Sequence, residues 1–254
     1  MSNELIMILS IGFAGIATGL GALPILVTER ISRKTMDVLL GFAAGIMLAA
    51  TSFSLILPSI EAGGSDLQAV LVTCAGILVG GAFLDFMDKH SPHIHLVDQR
   101  AEGGDPASMK KIWLFVIAIA LHNFPEGLAT GVGFGTGDVS GGMTIAVGIG
   151  IQNLPEGLAV ALALRRENYS RLFALGVATL TGLIEPIGAV LGLLLIQMFQ
   201  PLIGFILALA AGAMLFVISD EIIPETHSGG YEREATYGIL FGFVVMLILD
   251  ILLG

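Results

Sequence analysis

The sequence predicts an all-α integral membrane protein with eight transmembrane helices, and three observations point to this fold class. The 254 residues are 55% hydrophobic and only 13% charged, with a mean hydropathy of +0.92, whereas a soluble domain carries roughly 25% charged residues. The apolar residues form runs of about 20, the length that a helix needs to cross a bilayer. Finally, the basic residues fall only in alternate loops. We expect one transmembrane domain over residues 1–254.

The apolar runs give the predicted helices in order: 4–27, 36–59, 67–88, 112–134, 142–164, 172–197, 202–223 and 236–253. No Lys or Arg precedes the first run, so it lacks the basic region of a signal peptide and is expected to be a retained helix. Most loops are short. The exception, residues 89–111, is predicted to be a cytoplasmic loop between helices 3 and 4 that contains histidines.

The basic residues determine the predicted topology. They are Arg30, Arg33 and Lys34 after helix 1, Lys89, Arg100, Lys110 and Lys111 around the loop after helix 3, Arg165, Arg166 and Arg171 after helix 5, and Arg233 after helix 7. All 11 therefore lie on one side of an eight-helix arrangement. Because cytoplasmic loops are enriched in Lys and Arg, we place this side in the cytoplasm and both termini outside.

The glycines and the single cysteine are expected to serve helix packing and not the chemistry of the protein. Gly15 with Gly19 in helix 1, and Gly41 with Gly45 in helix 2, have the small-xxx-small spacing that allows helix backbones to approach closely. Cys74 has no second cysteine to pair with, so an intramolecular disulfide is excluded. There is no basic patch of the kind that binds nucleic acid.

Helices 4 and 5 contain nearly the same phrase thirty residues apart. The phrases are His122-Asn123-Phe124-Pro125-Glu126-Gly127-Leu128-Ala129 and Gln152-Asn153-Leu154-Pro155-Glu156-Gly157-Leu158-Ala159. In each, a potential metal ligand and a glutamate are four residues apart and share one helix face. Ionisable groups inside a membrane are costly and usually functional. The repeated phrase therefore predicts an ion-binding site within the membrane.

Three glutamates inside predicted helices each adjoin a proline. They are Glu126 beside Pro125, Glu156 beside Pro155, and Glu185 beside Pro186 in helix 6. Proline removes a helical hydrogen bond and kinks the helix, and interrupted helices in transporters often hold ions. We therefore expect these three helices to be kinked around the site.

The side chains of the two phrases suggest which ion is bound. Imidazole, carboxylate and amide groups together favour a divalent transition metal, zinc first, over calcium or magnesium. For His122 alone, a helix–helix hydrogen bond is an equally good interpretation. An intramembrane metalloprotease would need a second histidine in a His-Glu-x-x-His arrangement, which helix 4 lacks. A metal sensor or a structural protein would hold its metal without flux.

These phrases resemble the ZIP (Zrt-, Irt-like protein) metal transporters, and most of all their bacterial GufA-like branch. Further matching segments are Gly41–Ala50 in helix 2, Asp88 through Pro92-His93-Ile94-His95, Glu185–Ala189, and Ser219–His227 at the end of helix 7. The resemblance implies an inverted repeat of helices 1–3 and 6–8 around helices 4 and 5, and a homodimer. It also implies an elevator-like movement of helices 1, 4, 5 and 6 against the others.

The resemblance implies a two-metal centre with bridging glutamates. The first metal would bind Met47, His122, Glu126, Gln152 and Glu156, and the second would bind Asn123, Glu126, Asn153, Glu156 and Glu185. Gln152 replaces a histidine of many relatives, and Asn153 replaces an aspartate of some, which lowers the charge of the second position. Residues expected to form a cytoplasmic exit or accessory site are Asp88, His90, His93, His95, Glu221, Glu225 and His227. For the loop histidines, a simple solvated loop is an equal alternative.

The predicted function is transport, not catalysis. We expect the protein to carry zinc, with cadmium, iron and manganese as further candidates, into the cytoplasm across a bacterial inner membrane. No ATP-binding motif is present, so a metal gradient, the membrane potential or a coupled ion would drive movement. Carrier and channel kinetics both remain open. No cofactor is expected apart from the transported ion.

Overall fold

The computed structural model describes residues 2–28, 30–64, 66–90 and 106–253, which are almost entirely helical. The helical segments, numbered as the predicted helices, are α1 (Asn3–Leu26), α2 (Arg33–Ala62), α3 (Leu67–His90), α4 (Pro106–Gly135), α5 (Val139–Arg166), α6 (Arg171–Met198), α7 (Gln200–Thr226) and α8 (Glu232–Leu253). Within the described ranges, seven of these segments, all but α4, are long and apolar enough to cross a membrane. The prediction of a multi-pass all-α membrane protein is therefore confirmed.

The α4 segment is the remaining long helix. It contains 30 residues, which corresponds to about 45 Å at 1.5 Å per residue. It begins six residues before the predicted start at 112, so part of the expected loop 89–111 is helical. The helix begins at Pro106. Proline suits the first turn of a helix, because the backbone N–H that it lacks would have no partner there. The eighth membrane crossing and the location of the termini stay predictions.

Most other helices also begin before their apolar runs, because polar caps start them. Ser2, Ser32, Asp138 and Ser170 each accept a hydrogen bond from a backbone amide three residues ahead. Such caps satisfy amides that the first helical turn leaves without partners. Hydropathy alone does not detect these polar first turns.

Of the three predicted proline kinks, the one in α6 is supported by an interruption of the helix, and the kinks in α4 and α5 stay predictions. The α6 segment is interrupted at Leu183, two residues before Glu185 and three before Pro186. By contrast, α4 and α5 continue as single helices through Pro125 and Pro155. A membrane helix tolerates proline where its neighbours and local adjustments satisfy the freed backbone groups.

Two further irregularities were not predicted from the sequence. The α2 segment contains a π-helical stretch at Ala50–Ile56, and α7 contains one at Ile218–Ile222. Each stretch ends two residues before a proline, Pro58 or Pro224. A wider π turn is a common local deformation at functional sites, and here it precedes the ring that would otherwise clash with the turn before it.

The same two helices share a short sequence. Ala43-Ala44-Gly45-Ile46-Met47-Leu48 in α2 matches Ala210-Ala211-Gly212-Ala213-Met214-Leu215 in α7 at all but one position. Gly45 lies against the backbone of α8, and Gly212 lies against the backbone of α3. Thus α2 and α7 have equivalent sequence, packing and π-helical stretches.

Close packing at glycines confirms the small-xxx-small prediction and pairs the helices. Gly15 lies against Gly182 of α6, and Gly41 and Gly45 lie against α8. Gly127 lies against the backbone of Glu185, which joins α4 to α6. The main pairs are α1 with α5, α4 with α6, α2 with α8, and α3 with α7. They form two groups, α1 with α4–α6 and α2–α3 with α7–α8, which meet mainly where α2 packs on α5 and α4 on α7.

Candidate metal site

The polar residues of the two repeated phrases converge in the interior of the bundle. They lie on α4 and α5, with Glu185 just after the break in α6. Each is at most 5% exposed: His122, Asn123, Glu126, Gln152, Asn153, Glu156 and Glu185. Burial of so many polar groups is costly unless they find partners, so their contacts show what the site can bind.

Two adjacent amides on α5 hold two of the glutamates. Gln152 Nε2 donates to Glu126 Oε1 of α4 at 2.5 Å, and Asn153 Nδ2 donates to Glu185 Oε1 of α6 at 2.6 Å. The structure therefore brings together the predicted ligands from three helices. It also joins α4, α5 and α6 at the level of their glutamates.

Several oxygens of this cluster have no hydrogen-bond partner among the described residues. They are Asn123 Oδ1, Glu126 Oε2, Gln152 Oε1, Asn153 Oδ1 and both carboxylate oxygens of Glu156. A buried acceptor without a partner costs about 1–3 kcal/mol, and neighbouring carboxylates repel one another when they are ionised. A cation coordinated by these oxygens would relieve both costs.

His122 forms a contact that the sequence did not predict. Its Nε2 lies in direct polar contact with Oε1 of Glu221, which lies in the π-helical stretch of α7. A predicted ligand and a predicted exit residue are thus in direct contact across the boundary between the two helix groups.

Met47 lies in an apolar environment. It is fully buried in a cluster that includes Leu128, Ala129, Ile149 and Met214. Among the described residues, no group of three His, Cys, Asp or Glu side chains is arranged to hold a metal ion. Glu126 and Glu185 each face an amide instead of another acid, so metal binding by the predicted set requires side-chain rotation.

Of the predicted exit residues, the structure describes the side chains of Glu221, Glu225 and His227, and each of these contacts a different partner. Glu225 pairs with Arg33 at 2.9 Å. The ring of His227 is within hydrogen-bond distance of the Thr226 hydroxyl through Nδ1, at 2.9 Å, and of the Thr236 hydroxyl through Nε2, at 3.2 Å. His93 and His95 lie outside the described residues. Asp88 and His90 belong to the end of α3, but their side chains are also outside what the structure describes.

A charged cluster near the end of α7 was missed in the sequence. Arg33 contacts both Asp37, at 2.7 Å, and Glu225, and Asp37 is fully buried. With Arg166 of α5 they line a cavity between α2, α5 and α7. The spacing of Arg33 and Asp37, four residues apart, is a signal that could have indicated the first of these ion pairs.

The contribution of α1 to the site was also missed. Asn153 Nδ2 donates to the backbone carbonyl of Ala14 at 3.1 Å. Every residue has a backbone carbonyl, so no sequence signal could have identified this one.

Comparison with known proteins supplies an independent view of the chain. A sequence model described as "ZIP Zinc transporter" matches residues 88–250. The chain is 47% identical to "Zinc transporter GufA" of Myxococcus xanthus over 245 residues, which cover 95% of this chain and 96% of that protein. It is 46% identical to "Zinc transporter ZIPB" of Bordetella bronchiseptica over 249 residues, 96% of this chain and 79% of that one. It is 32% identical to "Zinc transporter ZIP11" of Homo sapiens over 321 aligned positions, which cover 93% of this chain and 94% of that protein.

Proposed function

This chain belongs to the ZIP zinc transporter family, with GufA-like bacterial proteins among its relatives, and from this premise we propose that it carries zinc into the cytoplasm through the buried site on α4, α5 and α6. The observation that carries the proposal is the set of buried oxygens without partners on α4 and α5, beside Glu185 of α6. They form a polar, acidic site in the interior of a membrane protein. A divalent ion bound there would coordinate the oxygens that have no hydrogen-bond partner.

The transported ion is assigned to the first metal position. Its ligands are Met47, His122, Glu126, Gln152 and Glu156. Binding needs two changes in the described geometry: the Gln152 amide turns so that its oxygen faces the ion, and His122 leaves Glu221. Imidazole, carboxylate, amide and thioether donors together suit zinc, and cadmium, iron and manganese are proposed as further substrates.

The remaining predicted ligands belong to the second position. These are Asn123, Asn153 and Glu185, together with the bridging glutamates Glu126 and Glu156. The Asn153–Glu185 hydrogen bond at 2.6 Å occupies part of this position. The first position is therefore the one through which we propose that metal passes.

We propose eight membrane crossings with both termini outside and the basic loops in the cytoplasm of a bacterium. Contacts at one end of the bundle support this arrangement. There Arg33 of α2 pairs with Glu225 of α7, Lys34 pairs with Glu234 of α8 at 2.8 Å, and Arg171 of α6 donates to the carbonyl of Leu26 at 2.8 Å. The last turns of α1 and α7 thus meet the first turns of α2, α6 and α8, as the proposed topology requires.

Transport is proposed to proceed by an elevator-like movement of α1 and α4–α6 against α2, α3, α7 and α8. Support comes from the two glycine-packed helix groups and from the His122–Glu221 pair that crosses between them. The shared sequence and π-helical stretches of α2 and α7 support the proposed inverted repeat. A homodimer is part of the same proposal, and chemical cross-linking in membranes tests it.

Zinc uptake into liposomes tests the function directly. Purified protein is reconstituted around a trapped zinc-sensitive dye, and initial rates are measured against external zinc for the wild type, Glu126→Ala and Glu156→Ala. Glu61→Ala is the matched control, because this glutamate is exposed at the end of α2. We expect saturable entry in the wild type and the control, and loss of entry in the other two. Equal rates in all four proteins would refute the proposed site, and absence of entry with zinc bound would favour a sensor.

A further inference from the structure

Asn153 is held by two hydrogen bonds from a single nitrogen. Its Nδ2 lies 3.1 Å from the backbone carbonyl of Ala14 on α1 and 2.6 Å from Glu185 Oε1 on α6. The amide group has two hydrogens, and each contact uses one of them. Asn153 therefore links three helices through its donor side.

The orientation of this amide follows from chemistry. A backbone carbonyl can only accept a hydrogen bond, so the Asn153 atom facing Ala14 must be the nitrogen. If the amide were turned over, Oδ1 would face the Ala14 oxygen, and neither atom could donate. Both existing hydrogen bonds would be lost, and two buried oxygens would be in contact. Asn153 is therefore fixed as a donor toward Glu185.

Gln152, the neighbouring amide, is not fixed in this way. In the part of the chain that the structure describes, its Nε2 makes one side-chain hydrogen bond, to Glu126 Oε1. Turning this amide over loses that single bond and presents Oε1 to an ion. The two adjacent amides thus differ: the Gln152 amide can turn its oxygen toward an ion, whereas the Asn153 amide keeps its nitrogen toward Glu185 and Ala14.

We propose that the NH₂ group of Asn153 takes the place of a second metal ion, so that the central site of this chain holds one divalent ion and not two. An aspartate at position 153 would set a carboxylate oxygen where the nitrogen now faces the oxygens of Glu185 and Ala14. Those oxygens would then need a cation between them. The asparagine supplies two N–H groups instead, and its Oδ1 is neutral and brings no charge to the second position. The inference rests on the proposed function of the site.

Metal stoichiometry tests the inference without relying on transport. Detergent-purified full-length protein is dialysed against excess Zn²⁺, passed through a desalting column and analysed for zinc per chain by elemental mass spectrometry. All proteins carry His90→Ala, His93→Ala and His95→Ala, which removes the histidines near the end of α3 as alternative ligands. The zinc bound at the central site is the zinc content per chain minus that of the same protein carrying Glu126→Ala and Glu156→Ala. Gel filtration checks that each variant is folded.

We expect one central zinc in the parent protein, one in Glu185→Gln and two in Asn153→Asp. Glu185→Gln in the Asn153→Asp background should return the count to one. Two zinc ions in the parent, with one lost in Glu185→Gln, would overturn the inference, as would a folded Asn153→Asp protein that still binds one. If Asn153→Asp does not fold, the zinc contents of the parent and Glu185→Gln still show whether the central site holds one ion or two. A parent that binds no more than the Glu126/Glu156 variant would instead refute the proposed function.

Discussion

Gly157 lies at a close contact between α1 and α5, next to the proposed ligand Glu156, and its replacement by alanine is a sharp test of the packing. A Cβ atom at this position would overlap the backbone carbonyl of Thr18 on α1. A backbone atom cannot rotate away as a side chain can. Gly157→Ala must therefore separate the two helices or distort one of them.

The magnitude follows from a comparison with Gly176, a helical glycine of α6 where an added Cβ would meet nothing within 4 Å. Alanine stabilises a helix interior by about 0.5–1 kcal/mol relative to glycine, and this gain applies to both positions. Overpacking typically costs about 1–3 kcal/mol. The difference between the two variants isolates that cost, which corresponds to about 2–12 °C in melting temperature for a chain of this size.

The assay is thermal unfolding in detergent, followed by fluorescence of Trp113, the single tryptophan. We expect Gly157→Ala to melt below the wild type and Gly176→Ala to melt at or above it. Zinc uptake by Gly157→Ala should fall as well, because the displaced helix carries Glu156. Equal melting temperatures for the two variants would refute the argument that α1 and α5 are in backbone contact at this point.

Two further predictions concern charge. Zinc at about 100 times its dissociation constant should stabilise the protein by about 2.7 kcal/mol. This is measured as a higher melting temperature in zinc than in EDTA. Glu156→Gln should abolish most of this shift, and an undiminished shift would place the metal elsewhere. Arg33 contacts the fully buried Asp37, so Arg33→Met should cost about 1–3 kcal/mol, as expected when a buried group loses its partner. Adding Asp37→Asn to Arg33→Met should restore part of that loss, and strictly additive effects in this double-mutant cycle would contradict the ion pair.

Much of the architecture can be read from local patterns. Hydropathy identifies membrane helices because a run of about 20 apolar residues is stable in lipid and not in water. The glycine spacings at Gly15 and Gly41 identify helix faces that allow close approach. The repeated Pro-Glu-Gly phrase predicts that Glu126 and Glu156 are intramembrane carboxylates. Both are buried, at 0% and 2% exposure.

Position-specific irregularities were harder to predict. The π-helical stretches of α2 and α7, and the continuation of α4 and α5 through their prolines, depend on whether neighbouring helices satisfy the backbone. A proline in the sequence has the same local chemistry in every case. Its consequence depends on the helix packed beside it.

The identities of the candidate ligands, their spacing on a helix face and the membrane class all follow from residue types and periodicity along the chain. Which partner each of these side chains faces does not. His122 meets Glu221, and Asn153 meets Ala14 and Glu185, because separate helices are brought together by glycine contacts far apart in sequence. Helical periodicity relates residues three or four positions apart on one helix. It contains no information about the rotation and depth of one helix against another, and these two quantities determine whether an amide is a donor or a ligand here.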